Sequence, residues 1–209
     1  MLSGLVFSLN SSSYLQPVFA GGNNENNNNK NGEDETTTES TTSETELRTA
    51  MRELWVDHVA YTRQFIADTV HDLPSLDQTT QRLLENQESI GDAIKPFYGE
   101  QAGDQLTNLL KEHILIAADV LSAAKAGDDE ALADAQQRWS DNADEIAAFL
   151  ADANPNWDED ELSDMLHEHL SLTTDDAVAR LQGDYQADIE AFDKVVIKRW
   201  KWQTHYPME

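Results

Sequence analysis

Residues 106–125 read LTNLLKEHILIAADVLSAAK, and this stretch decides the class of fold. Its apolar residues recur at intervals of three and four, which places them along one face of an α-helix. The same interval returns in every segment between residue 46 and about residue 200, and none alternates with the period of two that a strand requires. The sequence therefore predicts an all-α protein, built as an up-and-down helical bundle.

Breaks in this pattern divide the chain into six helices. Pro74 cannot continue a helix, Gly127 suits a left-handed C-terminal cap, and Thr173 opens a Thr-Thr-Asp-Asp cluster typical of helix N-termini. We expect the helices to span 46–71, 76–95, 99–125, 129–153, 158–171 and 173–200.

An acid followed by a histidine recurs in the helical region, as DHVAYT at 57–62, EHILIA at 112–117 and EHLSLT at 168–173. The intervals between the copies are 55 and 56 residues. A period of this length fits two helices and their turns, so the sequence predicts three helical-hairpin repeats of about 56 residues. In the second half of each repeat an arginine precedes an amide or acid by four residues; the pairs are Arg82 and Asn86, Arg138 and Asn142, and Arg180 and Asp184.

These histidines, amides and the acid are expected to share one layer of the bundle. In an antiparallel hairpin, two residues at equal distances from the turn lie at the same height. The predicted turns place His58 opposite Asn86, His113 opposite Asn142, and His169 opposite Asp184. Apolar neighbours at helical spacing put them inside, where an unpaired polar group costs about 1–3 kcal/mol. The sequence therefore predicts a buried polar layer.

Three interpretations of the layer remain open. The first is a structural network of hydrogen bonds between each histidine and the residue opposite. The second is a metal site for zinc, iron or copper, with Asn86 and Asn142 orienting the ligands. Its ligands would be His58, His113, His169 and Asp184. The third is a site for a small anion, with Asn86 and Asn142 beside the guanidinium groups of Arg82, Arg138 and Arg180.

Composition excludes several classes of function. The net charge of −26 argues against a nucleic-acid partner, because phosphate binding needs a basic surface. The chain has no cysteine, so it holds neither a disulfide nor a thiolate ligand. It also has no Gly-rich phosphate loop, no Ser–His–Asp order and no H-E-x-x-H motif. We therefore expect a non-enzymatic ligand- or metal-binding or sensing module. The alternatives are a structural or interaction bundle and a metal-dependent enzyme at the same layer.

The ends of the chain differ in composition from the helical region. Residues 1–20 resemble a signal peptide that ends at Val18-Phe19-Ala20, so we expect export to the periplasm, cell envelope or exterior. Residues 21–45 are rich in Asn, Thr, Ser and Glu, which predicts a disordered linker. We expect the bundle domain to occupy 46–200 and an irregular tail to occupy 201–209. No stretch reaches the ~18 apolar residues of a transmembrane helix.

Several stretches resemble a family of small all-helical bacterial proteins. They read LRTAMRELWVDHVAYTR from residue 47, IGDAIKPFYGEQAGDQLTNLLKEHILIAADVLSAAKAGD from 90, RWSDNADEIAAFLADANPNW from 138, and EHLSLTTDDAVARLQGDYQADIEAFDKV from 168. Members of that family often carry the names glycosyltransferase or acetylglutamate kinase, but this sequence has the motifs of neither. The resemblance covers residues 47 to about 197 and implies an all-helical fold in an exported or envelope protein. The family's last helix leads to an apolar segment, whereas this chain ends in a basic aromatic tail.

Overall fold

The computed structural model describes the backbone of residues 35–205 and the side chains of residues 45–196. Six helices and their short connections make up this part of the chain, which contains no strand, so the predicted all-α class is confirmed. The helices are α1 (Glu35–Val70), α2 (Leu76–Tyr98), α3 (Glu100–Ala126), α4 (Asp129–Ala153), α5 (Glu159–Gln182) and α6 (Tyr185–His205).

The predicted boundaries of the first four helices are close to those observed, except at the start of α1. That helix begins at Glu35, so residues 35–45 of the predicted linker are helical; the predicted signal peptide and residues 21–34 lie outside the described residues. Extending an existing helix adds one hydrogen bond for each residue fixed, which lets a polar segment continue it. Helix α6 likewise continues to His205, so residues 201–205 of the predicted irregular tail are helical too.

The predicted boundary between the last two helices was wrong. The Thr-Thr-Asp-Asp segment does not start a helix but lies inside α5, which continues to Gln182. The hydroxyl groups of Thr173 and Thr174 donate to the carbonyl oxygens of His169 and Leu170, one turn earlier. Threonine is favoured at helix N-caps, but inside a helix it can bond back to the preceding turn in this way.

The turn after α5 repeats the geometry of the turn after α3. Gly127 and Gly183 both adopt left-handed backbone angles, with φ of 69° and 73°, and close the preceding helix. In both turns the next residue is an aspartate that caps the following helix: Asp128 accepts from the N–H of Ala131, and Asp184 from the N–H of Ala187. A side chain at either glycine would strain this backbone.

Two clusters of apolar side chains form the core. The larger extends over α1 to α5 and includes Leu54, Ile90, Trp139 and Leu166, and the smaller is centred on Phe65, Ile66, Leu83, Ile114 and Leu121. Along α1, His58 comes between Leu54 of the first cluster and Phe65 of the second. Along α2, Asn86 and Gln87 come between Leu83 and Ile90. His58, Asn86 and Gln87 thus stand between the two clusters.

Helices α2 and α3 cross closely at Gly91 and Gly103. A Cβ atom built on Gly91 would overlap Thr107 Oγ1 and lie 2.5 Å from the carbonyl oxygen of Gly103. One built on Gly103 would lie 2.6 Å from the carbonyl oxygen of Gly91.

No helix among the described residues is both long enough and apolar enough to cross a bilayer.

Candidate functional site

Three histidine rings meet inside the bundle, one each from α1, α3 and α5. The ring of His169 lies between the other two, with its centroid 6.1 Å from that of His58 and 6.3 Å from that of His113. His58 and His113 are 4% and 5% exposed, and His169 is half-buried. The predicted meeting of the three histidines is therefore observed, and we call this group the histidine cluster.

The ring of His113 is held by Asn142 from the neighbouring helix α4. Its Nδ1 lies 2.8 Å from Asn142 Oδ1, and Asn142 Nδ2 donates to the carbonyl oxygen of Leu109 at 3.2 Å. Because the amide nitrogen is committed to a carbonyl, its oxygen must face His113, so Nδ1 of His113 carries the proton. The other ring nitrogen, Nε2, is then left with a free lone pair.

On α2 the equivalent amide does not reach the histidine directly. Asn86 Nδ2 donates to the carbonyl oxygen of Leu54, just as Asn142 does to Leu109. The contact to His58 Nδ1 comes instead from Gln87 Nε2 at 3.2 Å, and the same amide nitrogen lies 3.1 Å from Asn86 Oδ1. The predicted pairing of His58 with Asn86 is thus wrong in detail, because Gln87 stands between them. Gln87 is completely buried, and its Oε1 has no partner.

The ring of His169 makes no hydrogen bond to the described side chains and faces a small cavity. His58, Val59, Thr62 and Arg63 of α1, His169, Thr173 and Asp176 of α5, and Phe192 and Val195 of α6 line this space. Its volume, measured for the centre of a water molecule, is about 10 Å³. That is room for about one water molecule or one ion.

Burial keeps all three histidines neutral. Desolvation is the main cause that lowers the pKa of His58 to about 3, with smaller contributions from His169 and His113. Desolvation also lowers the pKa of His113 and of His169 to about 4 each. Trp55 packs edge-on against His58 at 5.0 Å, and Trp139 lies 5.3 Å from His113, so aromatic rings help to exclude water. Neutral imidazole is the form that binds metal ions.

Asp184 lies outside this cluster, contrary to the sequence prediction. It is exposed and caps α6 after the turn at Gly183. The prediction failed because it placed the turn near Thr173, which shifted the residue opposite His169. The supposed third arginine–acid pair is likewise split between two elements, with Arg180 on α5 and Asp184 in the turn that follows.

The three predicted arginines are each engaged by carboxylates. Arg82 pairs with Asp57 at 2.6 Å, and Arg138 pairs at the surface with Asp119 and Asp134. Arg180 pairs with the buried Asp188 at 2.7 Å. These carboxylates pair with the guanidinium groups that the sequence analysis assigned to a possible anion site.

A buried charge network beside the histidine cluster is the main feature that the sequence did not reveal. Arg63 bridges two carboxyl groups, with Nη1 3.1 Å from Asp176 Oδ1 and Nη2 3.0 Å from Asp188 Oδ2. Asp176 and Asp188 are 3% and 1% exposed. Desolvation, followed by the hydrogen bond with Asp188, raises the pKa of Asp176 to about 7, whereas the pKa of Asp188 is lowered by Asp176, Arg63 and Arg180 against the opposing effect of its own burial.

The signal for this network was an acid on an apolar helix face. Asp176 is three residues from both Thr173 and Ala179, which are buried, and Asp188 is three residues from the buried Ala191. Acids at such positions require a buried cationic partner.

The cluster is not arranged as a metal site as it stands. Among the described residues, no group of three or more His, Asp or Glu side chains is positioned to hold a metal ion. The nitrogens of imidazole ligands lie about 2.0–2.1 Å from zinc, which brings the ring centroids of tetrahedral ligands to roughly 5 Å from one another. The observed separations of 6.1 and 6.3 Å are about 1 Å wider than this.

Comparison of the chain with protein-family models, with curated proteins and with solved structures finds no match of any of the three kinds.

Proposed function

We propose that the bundle is a non-enzymatic binding module whose ligand is a single transition-metal ion held by His58, His113 and His169. The observation that supports this is the state of His169. A purely structural network would bond each ring, whereas the His169 ring makes no hydrogen bond to the described side chains and borders a cavity together with His58.

The size of the cavity favours an ion over an organic ligand. A space of about 10 Å³ admits one water-sized group. The same limit favours binding over catalysis, because a metal-dependent enzyme needs room for its substrate next to the metal. Zinc, iron and copper all accept imidazole ligands. To join the set, His58 would have to exchange its contact with Gln87 Nε2 for the ion, because that contact uses the lone pair of Nδ1 and leaves the ring proton on Nε2.

The hydrogen bonds of His113 agree with this role. Histidines that bind metals donate their second ring N–H to a carbonyl or carboxylate, which fixes the ring and frees the other nitrogen. Asn142 Oδ1 accepts a hydrogen bond from Nδ1–H of His113 in this way. Binding would draw the rings of His58 and His113 about 1 Å closer to that of His169 and would also bring these two outer rings together. Because the rings come from α1, α3 and α5, the ion would link three helices.

The experiment is to add Zn²⁺, Cu²⁺ or Fe²⁺ to metal-free full-length protein while following heat absorption and thermal unfolding. A ligand that binds only the folded state raises its stability, so we expect one ion per chain and a higher Tm. His169→Ala should abolish both effects. His169 is the best position to change, because its ring makes no hydrogen bond that folding would lose.

His167→Ala is the matched control. His167 lies on the same helix, is partly exposed and bonds Asp144 at 2.8 Å, outside the cluster. Binding that survives in His167→Ala but not in His169→Ala supports the proposal. No binding to the wild-type protein, or equal binding by both variants, would leave the cluster as a structural network.

We also propose that the protein is exported and that it consists of three hairpin repeats. The signal-like pattern at residues 1–20 supports export, and sequencing the N-terminus of the mature protein from its source would test it. Left-handed backbone at Asp72, Gly127 and Gly183, spaced by 55 and 56 residues, supports the repeats. An experimental structure in which the α5–α6 pair does not superpose on α3–α4 would contradict the repeats.

A further inference from the structure

The carboxyl groups of Asp176 and Asp188 lie side by side in the interior, 3.1 Å and 3.0 Å from two nitrogens of one guanidinium group. Arg63 bridges them, and Arg180 donates to Asp188 Oδ2. The other oxygen of Asp188, Oδ1, is buried and has no hydrogen-bond partner. A hydroxyl on Asp176 would supply the missing donor, since a protonated carboxyl group is the only proton donor that an acid can offer.

Charged and titratable groups from three helices surround the pair. Helix α1 contributes Arg63, α5 contributes Arg180, and α6 contributes Asp188 itself. His58 and His169 line the same cavity as Asp176 but form no hydrogen bond with it. With both acids ionised, two like charges would face each other in the interior; with one proton, they share a hydrogen bond instead.

Helix α6 forms one side of the partly open cavity beside His58 and His169. Phe192 and Val195 form its wall on that side. Arg63 holds this helix twice, by its ion pair with Asp188 and by lying 4.3 Å over the ring of Phe192. The charge network therefore lies where α6 contacts α1 and α5, beside the cavity.

We propose that Asp176 and Asp188 share one proton, that this proton holds α6 against α1 and α5 beside the cavity, and that its loss to solvent lets α6 move away and widens the cavity. The carboxyl pair then changes its charge from −1 to −2. Arg63 and Arg180 balance this charge overall, but Asp188 Oδ1 loses its donor and faces a second carboxylate beneath α6. The raised pKa of Asp176 places the loss near neutral pH. Regulation of ligand entry rests on the proposed function, but the opening of α6 does not require a metal.

The experiment measures amide hydrogen exchange of α6 in metal-free full-length protein at pH 6 and pH 8.5, corrected for the intrinsic effect of pH. We expect the protection of α6 to fall by about tenfold or more at the higher pH, because the protonated fraction falls about tenfold for each unit above the pKa. Protection of α2 and α3 should stay constant.

Two variants separate the proton from the charges. Asp176→Asn keeps a donor for Asp188 Oδ1 without a titratable proton, so α6 should stay protected at both pH values. Asp188→Asn removes the partner of two guanidinium groups, so α6 should exchange quickly at both. Should Asp188→Asn fail to fold, the comparison of wild type with Asp176→Asn still decides.

Asp193→Asn, at an exposed position of α6, is the control and should behave as the wild type. Wild-type protection that does not change with pH, or a pH response that persists in Asp176→Asn, would overturn the proposal. The outcome is independent of the metal titration: α6 can open without any ion binding, and an ion can bind without α6 opening.

Discussion

The side chains of His113 and Asn142 join α3 to α4 through a 2.8 Å hydrogen bond. Both are buried, and the amide of Asn142 is fixed by its second bond to the carbonyl of Leu109. The pair sets the proton position on the imidazole ring and the height at which the two helices meet.

Asn142→Ala should lower the free energy of unfolding by about 1–3 kcal/mol, because it leaves the buried His113 Nδ1–H without an acceptor. Urea unfolding of the full chain measures this change. Asn108→Ala, at an exposed position of α3, is the control and should change stability by less than about 0.5 kcal/mol. Equal effects of the two substitutions would contradict the assigned hydrogen bond.

Acid should unfold the metal-free protein through the histidine cluster. The folded-state pKa values of His58, His113 and His169 are lowered to about 3, 4 and 4. The unfolded chain therefore binds more protons than the folded one below about pH 6.5, and stability falls as the pH falls, by about 1.4 kcal/mol per unit for each histidine. Asp176, whose folded-state pKa is raised, opposes this trend between about pH 4 and 7.

Unfolding in urea at pH 7, 5.5 and 4.5 tests the acid dependence. His169→Gln should make the free energy of unfolding depend less steeply on pH, because it removes one of the three histidines that take up protons on unfolding. An unchanged slope in this variant would show that the ring of His169 is protonated equally in both states.

Gly91→Ala should be destabilising by about 1–3 kcal/mol or more, although alanine normally favours a helix over glycine. The new methyl group would strike Thr107 and the backbone of Gly103 at the crossing of α2 and α3. Thermal unfolding measures the effect, with Ser89→Ala at an exposed position of the same helix as the control. A rise in Tm for Gly91→Ala would mean that the helices are farther apart than described.

Removing the guanidinium of Arg63 should cost far more than removing one at the surface. Arg63→Met leaves the buried Asp176 and Asp188 with one cation fewer, a change that typically costs about 3–5 kcal/mol. Arg138→Met breaks two exposed ion pairs and should leave the denaturant midpoint nearly unchanged. Denaturant midpoints of the two variants give the comparison. Similar midpoints would place Arg63 at the surface.

The spacing of apolar residues was enough to predict the all-α class and to place the histidines together. His58, His113 and His169 each lie on an apolar face, and helical geometry leaves few places where those faces can meet. The bond between His113 and Asn142 followed from the same spacing, because both residues lie equally far from the turn at Gly127.

Local sequence did not determine where α5 ends or which amide contacts His58. The local propensity of Thr173 favours an N-cap, yet in the tertiary structure its hydroxyl bonds back to the carbonyl oxygen of His169 inside α5. The spacing of 56 residues from Gly127 to Gly183 was the signal for the true turn. Gln87, and not Asn86, contacts the ring of His58. The spacing of apolar residues cannot tell which of two adjacent amides will make such a contact.

The distribution of the histidines over α1, α3 and α5 has a consequence for how the protein matures. Each of the three helix pairs closes through a short local turn and can form early and separately. No single pair holds more than one ring of the cluster. The cluster is therefore complete only after α5 has been made, and a chain that stops before α5 lacks its central ring, His169. Occupancy of the cluster by an ion would therefore mark chains in which α1, α3 and α5 have all come together.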